Sequence, residues 1–296
     1  VSDGVNTAAL NGWRNVWSSS ANPVTAASFF LGRFNFTYTT PGEVPPDQNH
    51  PHGLGYGYAV VPASGAASVA GVLADNTAFS TSAFLGPQGQ FLVFKTLYSN
   101  KGVVLGNHQI AASAAGTVSD YSQPAEVKWL RKNQAPTVSY SYPAGFDVTL
   151  VVNGSRYDPT LIPLGANAIG STTTSVDTEL DFSDGGLDVS SPDVQFTLPD
   201  NNKPVFGVND GKVKLTITKT TGIFSGSFSV VDDIDPGMPV KNITRPGTFK
   251  GIIIQNPMGS GTGRGFFVLR KLPVFPATSI LNTSILSGPV ELRDMP

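Results

Sequence analysis

Cysteine is absent from the 296 residues, which removes disulfides, thiolate nucleophiles, zinc–thiolate sites and iron–sulfur clusters together. Charge is scarce as well. Lys, Arg, Asp and Glu make up 14% of the chain and nearly cancel, with 19 basic against 21 acidic side chains. The broad basic surface that nucleic acid or an anionic membrane requires is therefore missing. No apolar run approaches the roughly 18 residues of a helical membrane span. The opening Val1-Ser2-Asp3-Gly4 shows neither an initiator Met nor a signal-like apolar stretch, so residue 1 reads as a processed end.

What the chain does have is 32 Gly, 23 Pro, 18 Phe and a 40% hydrophobic content, enough apolar material for a core and enough punctuation to forbid long helices. Segments of five to nine residues, alternating or β-branched and aromatic, recur between Gly, Pro, Asn, Asp and Ser. That pattern predicts consecutive strands and turns. The first series is 33–39, 55–61, 67–73, 90–97, 102–110 and 126–132; the second is 147–152, 178–182, 194–198, 212–219, 223–230, 248–255, 264–269 and 289–293. Each series holds a hairpin followed by a short strand with a central Gly, Gly71 in the first and Gly226 in the second. This predicts an internal duplication. Glycine inside a strand marks a bulge, a barrel corner or a seat for an aromatic ring, so the sheets are expected to curl and nearly close. The fold class is all-β, an antiparallel meander with barrel-like sheets from two related halves, 1–135 and 136–296. Asn133 to Gly145, with Pro136 and Pro143, forms the expected crossing, and residues 1–30 read as the end of a preceding repeat.

Several phrases resemble the β-rich C-terminal module of large secreted bacterial cell-surface proteins that carry immunoglobulin-like and other β repeats. They are Val1-Ser-Asp-Gly4, Gly55-Tyr-Gly57, Gly71-Val-Leu-Ala-Asp75, Leu97-Tyr98 with Lys101-Gly102, Tyr142-Pro-Ala-Gly-Phe146, Gly154-Ser-Arg-Tyr157, Thr221-Gly-Ile-Phe-Ser-Gly226, Lys250-Gly-Ile-Ile-Ile-Gln255, Gly265-Phe-Phe267 and Ser287-Gly-Pro-Val290. The family has Asp-Gly after Leu-Ala where this chain has Asp75-Asn76, and residues 273–286 read as an insertion. The resemblance implies an exported, extracellular or cell-surface setting, with other protein subunits or surface polysaccharide as partners. It carries no known enzymatic activity, cofactor or ligand.

The residues offer few chemical constellations. His50 and His52 share a Pro-rich loop with Asp47, two imidazoles short of a metal site without a third ligand. Asp177, Glu179 and Asp181 fall at period two on one strand face, followed by Asp184 and Asp188 across Gly185-Gly186. Oxygen-rich clusters suit Ca²⁺, although this spacing is not an EF-hand; the other reading is a charged, solvent-facing edge strand. Asp232-Asp-Ile-Asp235-Pro-Gly reads as a plain turn, and Gly259 to Gly265 as a hairpin turn, since it opens no helix that would bind phosphate. No Gly-x-Ser-x-Gly elbow is present, and the four Glu are too few and too scattered to mark a sugar-cleaving pair. Trp13, Trp17, Tyr56, Tyr58, Tyr98, Tyr140 and Tyr142 form a candidate sugar-stacking platform, with the strand core as the other reading. The expected function is a non-catalytic extracellular structural or interaction module, an assembly or filament subunit whose Val1 or Val290 strand completes a neighbour's sheet. A carbohydrate-binding module is the alternative, with a glycan hydrolase behind it. A membrane barrel fits poorly, because Thr, Ser, Lys and Asp alternate along many strands.

Overall fold

The computed structural model describes residues 12–24, 29–41, 49–112, 119–121, 126–133, 142–160, 169–187, 191–234, 242–256, 261–274 and 279–295. Among them there is no α-helix; a 3-10 turn spans Ile280–Asn282. The strands are β1 (Gly32–Thr39), β2 (Gly55–Val61), β3 (Ala66–Val72), β4 (Ala78–Phe84), β5 (Gln90–Leu97), β6 (Gly102–Gln109), β7 (Ala111–Ala112), β8 (Ser119–Tyr121), β9 (Glu126–Arg131) and β10 (Phe146–Arg156) in one sheet. The other sheet holds β11 (Thr178–Phe182), β12 (Val194–Thr197), β13 (Val205–Phe206), β14 (Lys214–Thr218), β15 (Ile223–Asp233), β16 (Asn242–Ile254), β17 (Thr262–Arg270) and β18 (Ile285–Asp294).

All pairings are antiparallel, and the two sheets share one plan. The first runs β4-β3-β2-β1-β10-β9-β6-β5, and the second β13-β12-β11-β18-β17-β16-β15-β14. In each, most strands that follow one another pair, the first strand closes onto the last, and the path opens between β4 and β5 or between β13 and β14; in the first sheet the short β7 and β8 lie off this path, β7 pairing with β8 and β8 with β10, so that β6 pairs with β9. The first sheet is a nearly closed barrel and the second a half-barrel. The expected all-β, curled, two-half architecture is thus the one observed. The hairpins matched in the sequence are not equivalents, however: β2–β3 are second and third in their sheet, whereas β14–β15 are fourth and fifth. The division expected at 135/136 also misses the change of sheet, because β10 belongs to the first barrel between β1 and β9. Of the expected crossing, 134–141 lie outside the described residues, and Tyr142–Gly145 is a tight turn into β10. The sheets are joined instead by residues 157–177.

Curling follows from strand glycines that seat phenylalanine rings. A Cβ at Gly226 would overlap Phe249, and one at Gly251 would overlap Phe224; paired rows on β15 and β16 thus exchange ring for glycine in both directions. The ring fills the space that a side chain would have kept between strand and core, so the sheet bends inward there. Apolar side chains point inward in both halves. Phe34, Phe36, Tyr38, Phe91 and Trp129 fill the first barrel, and Phe182, Phe196, Phe228, Phe249 and Phe267 fill the second.

The two halves meet on β1, whose inner and outer faces are both buried: Phe34, Phe36 and Tyr38 face the barrel while Asn35 and Thr37 face away from it. The Asn35 amide donates to Thr221 O at 2.9 Å and to Ile253 O at 3.0 Å. Beside it, the Tyr157 hydroxyl donates to Lys219 O, and the Gln255 side chain bonds both the N–H and the carbonyl of Asp158. Leu54 N donates to Gly265 O at 3.1 Å, and Tyr56 stacks on Phe266 at 6.3 Å. Asn35→Leu takes the amide donor from the buried Ile253 carbonyl and from the half-buried Thr221 carbonyl, which keeps only the longer 3.4 Å bond from Arg33, and unfolding in urea should show a loss of about 1–3 kcal/mol. A loss below about 0.5 kcal/mol would mean that the junction does not depend on the Asn35 amide.

Candidate functional site

The acidic residues of β11 do not gather around an empty centre. Glu179 and Asp181 share the Arg293 guanidinium of β18, whose Nη2 lies 3.2 Å from Glu179 Oε2 and 2.8 Å from Asp181 Oδ2. Next to them Arg264 Nε donates to Glu291 at 3.1 Å. Antiparallel register places Glu179 opposite Arg293, and Glu291 opposite both Asp181 and Arg264, so the strip is a cross-strand ion ladder. Burial pushes the Asp181 carboxyl up, as do Asp193 and then Glu179 and Glu291, while Arg293 opposes them. Asp177 turns elsewhere, accepting from the Thr172 N–H and hydroxyl at 2.8 and 2.6 Å. The expectation of an edge strand is overturned, because β12 and β18 pair with β11 on its two sides. Asp184 sits in a turn at φ 56°, and Asp188 lies outside the described residues. Among the described residues no group of three or more His, Asp or Glu is placed to hold a metal ion. A shallow cleft of about 230 Å³ runs along this ladder, lined by Leu54, Asp181, Ser183, Arg264, Pro289, Val290 and Glu291.

His50 and His52 lie side by side, ring centroids 5.0 Å apart and tilted by 40°, in the loop that docks on β18 through His52 N and Ser287 O. Asp47 lies outside the described residues. The third histidine, His108, is wholly buried in the first barrel, its Nε2 3.2 Å from the Tyr38 hydroxyl and its ring against Phe36 and Phe91. Burial lowers its pKa to about 3, which keeps the imidazole neutral.

Two buried ion pairs escaped the sequence reading. Asp232, expected in a plain turn, is on β15 and forms a two-pronged bond with Arg245 of β16 at 2.6 and 2.9 Å. Arg245 Nη1 also donates to the carbonyls of Gly186 and Arg270, which ties β15, the end of β17 and the turn after β11 to one guanidinium. Asp235 lies outside the described residues. In the first barrel Asp75 accepts from Tyr98 at 2.6 Å and lies 3.6 Å from Arg131, whose guanidinium covers the Tyr98 ring at 4.8 Å. Trp129 Nε1 donates to the same hydroxyl. Tyr98 is itself in the left-handed region at φ 53°, so the network holds a strained turn in place.

The aromatics proposed as a platform do not make one. Tyr56 and Tyr142 are buried, Tyr98 belongs to the network above, Tyr58 lies under Arg33 at 3.9 Å, and Tyr140 lies outside the described residues. Nor is β18 a free strand, since β11 and β17 flank it; Val1 lies outside the described residues.

The exposed apolar surface lies instead on the outside of the first barrel beside its interruption. Phe94 of β5 and Leu105 of β6 stand directly opposite each other, 50% and 40% exposed, with Leu92 and Phe84 close by in sequence or across the seam at 44% and 56%. Val103 and Leu130, another opposed pair, extend the same face. Lys128 borders it, opposite Leu105. No protein family, curated protein or solved structure matches this chain.

The buried groups make two predictions. Because His108 in the folded chain titrates far below an unfolded imidazole, the unfolded state binds the extra proton between pH 6.5 and about 3. Stability should therefore fall as pH drops through that window, with a His108 contribution approaching about 1.4 kcal/mol per pH unit. His108→Leu should lose that part of the slope in thermal unfolding from pH 7 to 4, and parallel curves would rule it out. Arg245→Met leaves the Asp232 carboxylate buried and alone and should cost about 3–5 kcal/mol, whereas Arg264→Gln on the exposed ladder should cost about 1 kcal/mol or less. Equal losses in denaturant unfolding would contradict the assignment.

Proposed function

We propose that this chain is a non-catalytic structural and interaction module of the bacterial cell surface, exported and joined to further protein subunits through the outer face of its first barrel. The observation that carries the reading is the apolar face of Phe94, Leu105, Leu92 and Phe84. Large apolar side chains grouped on an outward face are the usual mark of an interaction surface, above all where a charged rim such as Lys128 borders them. The inward packing of both halves supports the structural part: rings fill the space a barrel would offer a small ligand. The extended junction on β1 makes the halves one body. The exported setting rests on the resemblance of the sequence to secreted surface modules.

Sedimentation of the chain over a hundredfold concentration range tests this. Wild type should self-associate, and Phe94→Ser combined with Leu105→Ser should sediment as a monomer with its melting temperature nearly unchanged, since both side chains already face water. A wild-type chain that is monomeric throughout, or a variant that associates equally, overturns the proposal.

A further inference from the structure

Residues 12–24 contribute no strand to either sheet, yet they lie on the first barrel through a small set of specific contacts. Trp13 Nε1 donates to Phe84 O, the last carbonyl of β4, at 2.9 Å. Asn15 Nδ2 donates to Ser64 O at 3.2 Å, while its Oδ1 accepts the Trp17 N–H at 2.9 Å. That second bond bends the chain so that the Trp17 ring comes down on Gly65. Here a glycine is required twice over: φ is +68°, and a Cβ would stand 2.6 Å from Trp17 Cδ1. Trp17 also meets the Phe30 ring edge-on at 6.2 Å, and Val24 N donates to Ala63 O at 2.8 Å. Between these anchors the segment folds on itself, Ser18 Oγ accepting from the N–H groups of Ala21 and Asn22 and Asn22 Nδ2 donating to Val16 O.

These are the features of a bound peptide. The receiving side supplies backbone carbonyls of the turn Pro62–Gly65 and of the β4 terminus, and a flat glycine surface. The segment supplies two indoles four residues apart and an asparagine between them that sets their spacing. Carbonyl acceptors select the side-chain donors of Trp13 and Asn15, and the glycine surface selects the flat ring of Trp17. The fit is also incomplete, because Trp17 Nε1 is buried with no hydrogen-bond partner; docking costs that donor its solvation and returns nothing. A segment held by side-chain anchors, with one donor unsatisfied, is suited to release.

We infer that the turn Pro62–Gly65 and the end of β4 form a peptide-docking site selective for Trp-x-Asn-x-Trp, filled in its own chain by residues 13–17 and able to take the same segment of a second copy once its own is withdrawn. This site meets the apolar face of β5 and β6 at Phe84, of which it uses the backbone carbonyl alone, and does not depend on the side chains of that face. A tethered segment acts at an effective concentration on the order of millimolar, so the free peptide competes poorly for an occupied site. The test uses a fluorescent synthetic peptide of residues 12–24, titrated into the full-length chain carrying Trp13→Ala and Trp17→Ala. Saturable binding is expected there, at least tenfold tighter than to wild type, and a peptide with both Trp replaced by Ala should not bind. Equal binding to wild type and variant, or no preference for the Trp peptide by a variant with a wild-type circular dichroism spectrum, overturns the inference. Should the double variant fail to fold, full-length Asn15→Ala, which loosens the segment and leaves both rings, should still take up the peptide more strongly than wild type. Its failure to do so is equally decisive against the site.

Discussion

Burying both faces of β1 sets a constraint that most of the molecule answers to. A strand in a barrel wall normally has one wet face, where its alternate polar side chains and flanking carbonyls find water. Here the outward residues Asn35 and Thr37 are covered; the Thr37 hydroxyl turns to Asn153 O of the neighbouring β10, but the Asn35 amide finds its acceptors in the opposing half, in the carbonyls of Thr221 and Ile253. That in turn fixes the β14–β15 turn, through Gly222 against Tyr157 and Asn35, and with it the start of the long β15–β16 ladder. The first barrel thus positions the second through polar contacts of specific geometry, more demanding than apolar packing alone.

Each half closes its own ladder by joining first strand to last and leaves the opening in the middle. The arrangement places the most central contacts, β1 with β10 and β11 with β18, at residues far apart in sequence. Such pairings form against a large loop-closure cost. The local hairpins β3–β4, β5–β6, β14–β15 and β16–β17 need no such closure.

Much of this was legible in the sequence. Glycine inside the strands announced curled sheets, and the Ser287-Gly-Pro-Val290 phrase marked a final strand that pairs back as β18. What stayed hidden has physical reasons. Strand β4, Ala-Phe-Ser-Thr-Ser-Ala-Phe, has one buried ring, Phe79, and a second, Phe84, in the outer row with Ala78, Ser80 and Ser82, too weak an alternation to stand out. Strand β16 runs through Pro246, which normally argues against an interior strand position. The division between halves was set at prolines, whereas sheet membership is decided by which strand finds β1. The site readings fared less well because charges were read without their partners. Asp181 and Arg293 lie 112 residues apart, and Asp232 looked like the start of a turn because Asp233, Asp235, Pro236 and Gly237 follow it. Period-two spacing shows that carboxylates share a face; it does not show that an arginine from the neighbouring strand occupies that face.

The first-to-last pairing has a mechanical side. Phe34, near the start of β1, stands opposite Arg156, the end of β10, and Thr178, the start of β11, opposite Asp294, the end of β18. In each half the chain therefore enters and leaves at the same rim, on adjacent strands. Tension applied between those two points loads the cross-strand bonds one after another from that rim, as in a zipper, in place of loading a whole ladder in shear. Each half would yield to stretching first at this pair of first and last strands, opening from the rim inward and letting the chain lengthen under modest force.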